Sequence, residues 1–254
     1  MLRRGDAALA LPRLGGMARP DGVVIVSERY WAFAGVDGSL REGLMPSPPE
    51  FLNRLPFARG LTRLAASLSP VFRREGVAPR RERLLIAAAV LSPIGLALVS
   101  GPWSTIAGVL LSLALLFTIL RGRALHLHGA EHRAIAAAEE HCLAAAWDGS
   151  VKPTRFSPRC GTNFAALLMP VSLLLDRFWV LPTTALTPVV VSLAALTLTM
   201  EIWIAAQRWL SSVGRVALLP GLLLQRLTTR EPELLDTRVA LRAVAGVLAE
   251  TPTA

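Results

Sequence analysis

Two long apolar blocks dominate the hydrophobic pattern of the chain. No charged residue occurs from Leu84 to Leu120, and at about 1.5 Å per residue this run is too long for one crossing of a hydrocarbon core roughly 30 Å thick. The sequence SGPWS at 100–104 divides it, because Gly and Pro favour a turn and Trp favours the membrane interface. The first block therefore predicts a hairpin of two membrane spans.

The second apolar block extends from Gly161 to Met200 and is interrupted only by an Asp-Arg pair at 176–177. It divides into a third predicted span that ends near Leu175 and a fourth over about residues 183–205. The hydrophobic pattern therefore predicts a mainly α, polytopic helical membrane protein with about four spans.

The polar remainder of the chain predicts a small cytoplasmic β unit and cytoplasmic amphipathic helices. Residues 15–45 contain the β-branched and aromatic runs VVIV and YWAF and the turn VDGS, which are typical of a small sheet. Apolar residues recur at helical spacing over 51–68, which predicts a helix that lies on the membrane surface or packs on the β unit. Helices are also predicted over 121–146, which is rich in Ala and Glu, and over about 232–250.

These elements divide the chain into six consecutive segments. They are a β unit with its linker, an interfacial helix with a basic juxtamembrane stretch, a transmembrane hairpin, a cytoplasmic histidine-rich helix and loop, a second transmembrane pair, and the cytoplasmic C-terminal helices. Their predicted boundaries are 1–50, 51–83, 84–120, 121–160, 161–206 and 207–254.

Arginine provides nearly all of the basic charge, and its placement predicts the topology. The net charge is +9, 53% of the residues are hydrophobic, and Lys152 is the only lysine. Arginines lie before the first predicted span, after the second and after the fourth, whereas the connections SGPWS and DRFW carry one arginine between them. By the positive-inside rule, both termini and the central loop face the cytoplasm. The expected partners are the lipid bilayer and anionic headgroups; nucleic acid is not expected, and protein partners are unknown.

All four histidines lie in one short stretch, LHLHGAEHRAIAAAEEH at 125–141. His128 and His132 are four residues apart, so on a helix their imidazoles share a face and can reach one metal ion, as in zinc enzymes. The letters HGAEH also match the inverted zincin pattern H-x-x-E-H, in which the glutamate, here Glu131, is the general base. Solvated surface histidines on an Ala-rich helix are the alternative interpretation.

Four further residues are candidates to complete a metal site: Glu139, His141, Cys160 and Glu201. Glu139 lies eleven residues after His128 and returns to the same helix face. Cys160 lies at the entrance of a predicted span and is a candidate ligand or nucleophile, or a small buried residue. Glu201 is an ionisable group near the end of a span, which favours a functional role over an ion pair with Arg208.

Several motifs follow one another in a specific order along the chain. They are GGMARPDGVVIV from residue 15, PFARG at 56–60, HGAEH with Glu139, SPRCGTNF at 157–164, Glu201 and PGLLLQRLTTREP at 220–232. This ordered set resembles the YqhQ-like (DUF1385) family of bacterial membrane proteins, which are described as predicted metal-dependent enzymes. The resemblance marks as motif residues Arg59, Arg159, Gln225, Thr228 and Arg230.

Two departures from the family pattern concern the predicted site and the opening motif. Ser157 stands where the family usually has a histidine before Pro-Arg-Cys-Gly, and the opening motif keeps only Met17, Arg19 and Pro20. If that histidine is a ligand in the family, the site in this chain is altered unless His141 or Cys160 takes its place.

The residues and the resemblance together predict a multi-pass protein of the bacterial inner membrane with a divalent metal, zinc by preference, held by His128, His132 and Glu139. The predicted activity is metal-assisted hydrolysis at the cytoplasmic membrane face, with Glu131 and Cys160 as candidate catalytic residues. A lipid-linked molecule and a membrane-proximal peptide are both candidate substrates. A non-catalytic membrane scaffold or docking protein is the alternative, and a transporter is a third hypothesis that the scarcity of polar residues in the spans disfavours.

Overall fold

The computed structural model describes most of the chain outside the first apolar block. The described residues are 6, 11–73, 76–84, 87–88, 106–107, 110–111, 114, 122–184, 186–208 and 212–250. The two spans predicted within 84–120 therefore lie almost entirely outside the described residues. The described part is mainly helical and has a small antiparallel sheet near its N-terminus, which confirms this part of the predicted fold class.

The sheet contains four antiparallel strands that are neighbours in chain order. The strands are β1 (Gly15–Arg19), β2 (Gly22–Val26), β3 (Tyr30–Gly35) and β4 (Leu40–Leu44). The predicted turn VDGS connects β3 to β4, and Gly38 has a positive φ of 92° there, a conformation that favours glycine. Successive side chains alternate between the two faces of the sheet, and both faces are covered by other parts of the protein.

The helices are numbered here in chain order. They are α1 (Glu50–Arg54), α2 (Ala58–Phe72), α3 (Ala124–Glu139), α4 (Leu143–Asp148), α5 (Gly161–Arg177), α6 (Thr187–Arg208), α7 (Ser212–Thr228) and α8 (Leu234–Glu250). Residues 80–84 are also helical.

Two of the predicted helices are interrupted in the structure. The helix predicted over 51–68 is divided into α1 and α2, because Pro56 disfavours helical backbone before it and Phe57 has a positive φ of 67°. The helix predicted over 121–146 ends at Glu139, and His141 reverses the chain with a φ of 53°. The Asp6 carboxylate then accepts hydrogen bonds from the first two backbone N–H groups of α4, which start a new helix.

One face of the sheet forms the main core with α3 and α8. Val23 and Ile25 of β2 lie fully buried against small and branched residues of both helices. Leu241 and Val244 of α8, which confirms the helix predicted over about 232–250, are fully buried in this core. Gly246 lets α8 approach the sheet closely, since a Cβ there would lie 2.9 Å from that of Ala32. This packing fixes α3, which carries the histidines, against the sheet.

The opposite face of the sheet is covered by the end of α2 and the residues that follow it. Trp31 and Phe33 pack there with Val71 and Val77. The buried Arg19 also donates two hydrogen bonds to the Glu82 carboxylate, at 2.6 and 3.0 Å. The sheet is thereby tied to the segment that precedes the first predicted span.

The remaining helices, α5, α6 and α7, pack against one another, and α2 contacts α6. The ring centroids of Phe164 in α5 and Trp203 in α6 are 5.8 Å apart. Gly221 of α7 lies directly against Asn163 of α5, because a Cβ at Gly221 would be 2.4 Å from the Asn163 Cα. This close contact brings the N-terminal end of α5 next to the C-terminal half of α7.

Within the described residues, one helix has the length and apolar composition needed to cross a membrane. It extends over Thr187–Gln207 in α6, and 28% of its most apolar window is buried in the protein. The apolar stretch Val216–Thr228 of α7 is shorter, and α5 has 17 residues. Both α5 and α7 contain an internal proline.

Candidate metal centre

Three side chains from two separate parts of the chain converge on one point. His128, His132 and Cys160 place one potential ligand atom each within 4.8 Å of the other two. The closest pair is His128 Nε2 and Cys160 Sγ, which are 3.2 Å apart. The centroids of the two imidazole rings are 4.6 Å apart in an edge-to-face arrangement. Among the described residues this is the group that can hold a metal ion.

Helix α3 provides the two histidines from consecutive turns. Its many alanines favour helix formation, and residues four apart lie on one face, so both rings project from the same side. Gly129 lies between them, and a Cβ there would be 2.2 Å from the carbonyl oxygen of Arg230. The glycine therefore allows the segment after α7 to lie directly on the histidine helix.

Each histidine is oriented by a backbone carbonyl. His128 Nδ1 lies 2.8 Å from the carbonyl oxygen of Thr228, and His132 Nδ1 lies 2.7 Å from that of Arg155. A carbonyl can only accept, so each Nδ1 carries the proton and each Nε2 presents a lone pair. His132 Nε2 is buried and has no hydrogen-bond partner among the described residues. A buried nitrogen without a hydrogen-bond partner is available to bind a ligand.

Cys160 is the N-cap residue of α5 and is 9% exposed. Its Sγ accepts hydrogen bonds from the Thr162 hydroxyl at 3.2 Å and from the Thr162 backbone N–H at 3.5 Å. The sulfur is therefore held between Thr162 in the first turn of α5 and His128 of α3.

The donor set fits a transition-metal ion. Two neutral imidazole nitrogens and one sulfur are ligands that zinc and related ions bind in proteins, whereas calcium and magnesium require oxygen ligands. The hydrogen bonds from both Nδ1 atoms to carbonyls are the arrangement that orients metal-binding histidines. The unpartnered His132 Nε2 provides independent support, since it is a buried nitrogen that has no other partner within the described structure.

Glu131, the predicted general base, lies outside this three-residue group. Its side chain is 5% exposed and packs against β1, where a Cβ at Gly16 would lie 2.8 Å from it. The carboxylate accepts a hydrogen bond from the backbone N–H of Ala18. Burial raises the pKa of Glu131 to about 7, although the nearby His128 and the hydrogen bond from Ala18 act in the opposite direction. The contacts connect Glu131 to the edge of the sheet.

Glu139 and His141 have other surroundings in the structure. The carboxylate of Glu139 forms an ion pair with Arg159, and the group of possible ligands found in the described residues does not include it. The ion pair joins the end of α3 to the residue before Cys160. His141 is exposed at the reversal between α3 and α4.

Glu201 of α6 is bound by the PFARG element. Its carboxylate accepts a hydrogen bond from the Phe57 backbone N–H at 3.1 Å and from Arg59 Nε at 2.9 Å, and Arg59 Nη2 completes the ion pair. Gly60 packs against Met200, since a Cβ there would be 2.3 Å from the Met200 side chain. The PFARG motif and Glu201, which are far apart in the sequence, thus form one contact between α2 and α6, with Arg59 as an ion-pair partner of Glu201. The side chain of Arg208, the ion-pair partner considered from the sequence, lies outside the described residues.

The motif at 225–232 contacts the histidine helix through its backbone and the side chain of Glu231. The Arg230 N–H donates to the Leu125 carbonyl at 2.9 Å, and the Glu231 carbonyl lies 2.8 Å from His126 Nδ1. The Glu231 carboxylate accepts a hydrogen bond of 2.7 Å from the buried Arg133, which also donates to a carbonyl of the loop at Pro153. Together with Thr228, these contacts hold α3 against the rest of the site.

Sequence reasoning did not identify the groups that support the ligands. The carbonyl groups of Thr228 and Arg155 have no sequence signature, because every residue has one. Arg133 and Glu231 lie inside motifs that were noted, yet their ion pair spans 98 positions. A charged residue among the alanines of a helix is a signal that could have identified Arg133, but it does not indicate the partner of Arg133.

The model of a family described as a protein of unknown function (DUF1385) matches residues 98–250, which is more than half of the 254 residues and includes all three members of the candidate site. Comparisons with curated proteins and with solved structures give no match.

Proposed function

The chain belongs to the DUF1385 family, and on that premise we propose that it is a multi-pass protein of the bacterial inner membrane that binds zinc and acts as a metal-dependent hydrolase at the cytoplasmic membrane face. The observation that carries the proposal is the convergence of His128, His132 and Cys160 within 4.8 Å. Both histidines have their Nδ1 atoms engaged by backbone carbonyls, so that their Nε2 atoms remain as ligands.

Zinc is the metal that we assign, because a thiolate with two imidazoles is a donor set that zinc favours. Three protein ligands leave one position of a tetrahedral ion for another molecule, which is typical of catalytic rather than structural zinc sites. A bound zinc ion would supply Lewis acidity to a carbonyl or phosphoryl oxygen of the substrate. The protein would contribute oriented ligands and a largely buried setting.

The role that we assign to Glu131 is to hold the histidine helix rather than to transfer a proton. Its carboxyl group accepts the Ala18 N–H of β1 and is buried against Gly16. A general base must lie within hydrogen-bond reach of the reacting group, and these contacts direct Glu131 toward the sheet. Cys160 serves as a ligand in this proposal.

A membrane location is supported by the apolar surface of the helices next to the site. Side chains of α5 and α6 such as Met169, Leu173 and Leu193 are at least half exposed, and such surface needs an apolar environment outside the protein. The proposed topology has four spans, including the two predicted within 84–120, and both termini in the cytoplasm. Because Cys160 caps the first turn of α5, this topology puts the metal centre at the boundary between membrane and cytoplasm.

A membrane scaffold is the second candidate, and one observation favours it. The family motif at 225–232 makes structural contacts to the histidine helix, as Arg230 and Glu231 do. A transporter would need a free ionisable group in the spans, whereas Glu201 is held by Arg59 and Phe57. We therefore place both hypotheses after the metal-dependent hydrolase.

Metal analysis of the full chain purified in detergent tests the proposal. We expect about one zinc per chain, lost in the His128→Ala/His132→Ala double variant and retained in His141→Ala, whose histidine is exposed. A wild-type protein without stoichiometric metal would refute the metal site.

An activity assay separates the hydrolase from the other two hypotheses. Turnover of chromogenic carboxylic and phosphoric esters that is abolished by chelation and restored by zinc would support a hydrolase. Bound zinc without turnover would favour the scaffold. Glu201-dependent flux in liposomes would indicate a transporter.

A further inference from the structure

The last turns of α7 contain a polar side chain that is completely buried. Gln225 has no exposed surface, and burial of an amide is unfavourable unless its hydrogen bonds are formed. Both ends of its amide group are used on a single residue: Nε2 donates to the Ser157 carbonyl at 2.8 Å, and Oε1 accepts from the Ser157 N–H at 2.9 Å. The side chain therefore binds the backbone of the opposite segment at two points.

Ser157 begins the turn that places Cys160. The Cys160 N–H is directed to the Ser157 carbonyl at 3.4 Å, and Asn163 from the first turn of α5 donates its amide to the same carbonyl at 2.9 Å. The turn from 157 to 160 is thus held from one side by Gln225 and closed on the other by Asn163. Its geometry determines where the Cys160 sulfur lies relative to His128.

The same part of α7 also orients His128. Thr228, three residues after Gln225, provides the carbonyl that accepts the proton of His128 Nδ1. A single stretch of α7, from Gln225 to Thr228, therefore contacts both His128 and the turn that places Cys160. These two candidate ligands come from distant parts of the chain. We propose that Gln225 is a positioning residue for Cys160 and that the end of α7 sets the separation between Cys160 and His128.

The effect of Gln225 on zinc affinity rests on the proposed function, whereas its effect on the position of Cys160 does not. The position of Cys160 is a property of the metal-free protein as well, and it can be measured through the reactivity of the thiol. Because Cys160 is a buried residue, we expect its thiol to be protected from alkylation as long as the turn at 157–160 stays closed. Release of the turn should expose it.

The test compares Gln225→Met with Thr229→Val in full-length protein that also carries Cys142→Ser, so that Cys160 is the only thiol. Methionine keeps the length of the side chain and removes both hydrogen bonds to Ser157. Thr229→Val is the matched control, because Thr229 is 1% exposed and lies one helical turn after Gln225, and within the described part of the chain its hydroxyl donates to the Gln225 carbonyl at 2.6 Å.

Two measurements are made on each variant, and they separate the two proposals. In chelator-treated protein, we expect Gln225→Met to raise the rate of Cys160 alkylation by iodoacetamide about tenfold, and Thr229→Val to leave it within about twofold of the wild-type rate. In competition with a chromophoric chelator, we expect Gln225→Met to weaken zinc affinity about 10- to 100-fold, as loss of a supporting contact does at other metal sites.

Equal alkylation rates in the two variants would overturn the positioning role, whatever their thermal stability. If the wild-type protein binds no zinc, the proposed function fails, and the alkylation rates still decide the role of Gln225. If Gln225→Met does not fold, Gln225→Asn replaces it in both measurements, because it keeps the amide but is too short to reach both atoms of Ser157. A wild-type alkylation rate in a folded Gln225→Asn protein would refute the inference.

Discussion

The buried carboxyl group of Glu131 should make the stability of the protein depend on pH in a defined direction. Burial raises its pKa from 4.5 to about 7 in the folded protein. Since a tenfold change in proton affinity corresponds to about 1.4 kcal/mol, ionisation of this group in the folded state costs on the order of 3 kcal/mol. A group whose pKa is raised by folding stabilises the folded state most below its unfolded pKa. That contribution is lost as the pH rises from about 4.5 to about 7.

Substitution of Glu131 by Gln should remove this pH dependence while it preserves the shape of the side chain and an acceptor for the Ala18 N–H. We expect Glu131→Gln and wild-type protein to have similar unfolding temperatures at pH 5, with the variant more stable by roughly 6–12 °C at pH 8. The assay is thermal unfolding of the metal-free full chain in detergent, followed by circular dichroism at pH 5, 6, 7 and 8.

The matched control is Glu231→Gln, in which the expected pH dependence is different. The ion pair with Arg133 lowers the pKa of Glu231, so its contribution is present above the unfolded pKa and is lost only as the pH falls toward the acid range. Glu231→Gln should therefore be less stable than the wild type by a constant amount from pH 5 to pH 8. A pH-independent difference for Glu131→Gln as well would refute the reasoning about burial against β1.

Other contacts lead to further expectations, all measured by thermal unfolding of the purified full chain. Gly129→Ala should lower the free energy of unfolding by about 1–3 kcal/mol, because its Cβ would lie 2.2 Å from the Arg230 carbonyl oxygen. The control is Gly161→Ala, whose Cβ would meet nothing within 4 Å and which should change stability by less than about 0.5 kcal/mol. Equal effects of the two substitutions would contradict the close contact at Gly129. Arg59→Ala and Glu201→Gln should each destabilise the contact between α2 and α6. Their double-mutant cycle should give a coupling energy of roughly 0.5–3 kcal/mol. Strictly additive effects on the free energy of unfolding would show that the two side chains do not interact.

The local pattern of the sequence was sufficient for the elements that depend on neighbouring residues. The β-branched and aromatic runs VVIV and YWAF and the turn at VDGS predicted the strands β2 and β3 and their neighbour β4, because these signals act within a few positions. The four-residue spacing of His128 and His132 predicted their shared face, since helix geometry alone determines it.

The parts that sequence reasoning did not predict depend on contacts between distant segments. Cys160 was noted as a ligand or nucleophile, but its distance from His128 follows from the packing of α5 and α7 rather than from any spacing. Glu139 was expected to complete the ligand set because it returns to the same helix face. Its partner in the structure is Arg159, a residue whose position relative to α3 could not be read from a helical repeat.

Breaks in helices were also missed where a single backbone conformation decides the result. Phe57 and His141 both have positive φ values, which are uncommon for residues other than glycine and are not indicated by their side chains. In each case a contact elsewhere accompanies the break: the Phe57 N–H binds Glu201, and the Asp6 carboxylate caps the helix that follows His141.

The central claim is that His128, His132 and Cys160 bind one metal ion, and X-ray absorption spectroscopy at the zinc edge tests it most directly. For zinc-loaded full-length protein, we predict one sulfur at about 2.3 Å and two imidazole nitrogens at about 2.0–2.1 Å. The Cys160→Ser variant should lose the sulfur contribution and Cys142→Ser should keep it. A zinc spectrum with only oxygen and nitrogen ligands in the wild-type protein, or one unchanged by Cys160→Ser, would contradict the account.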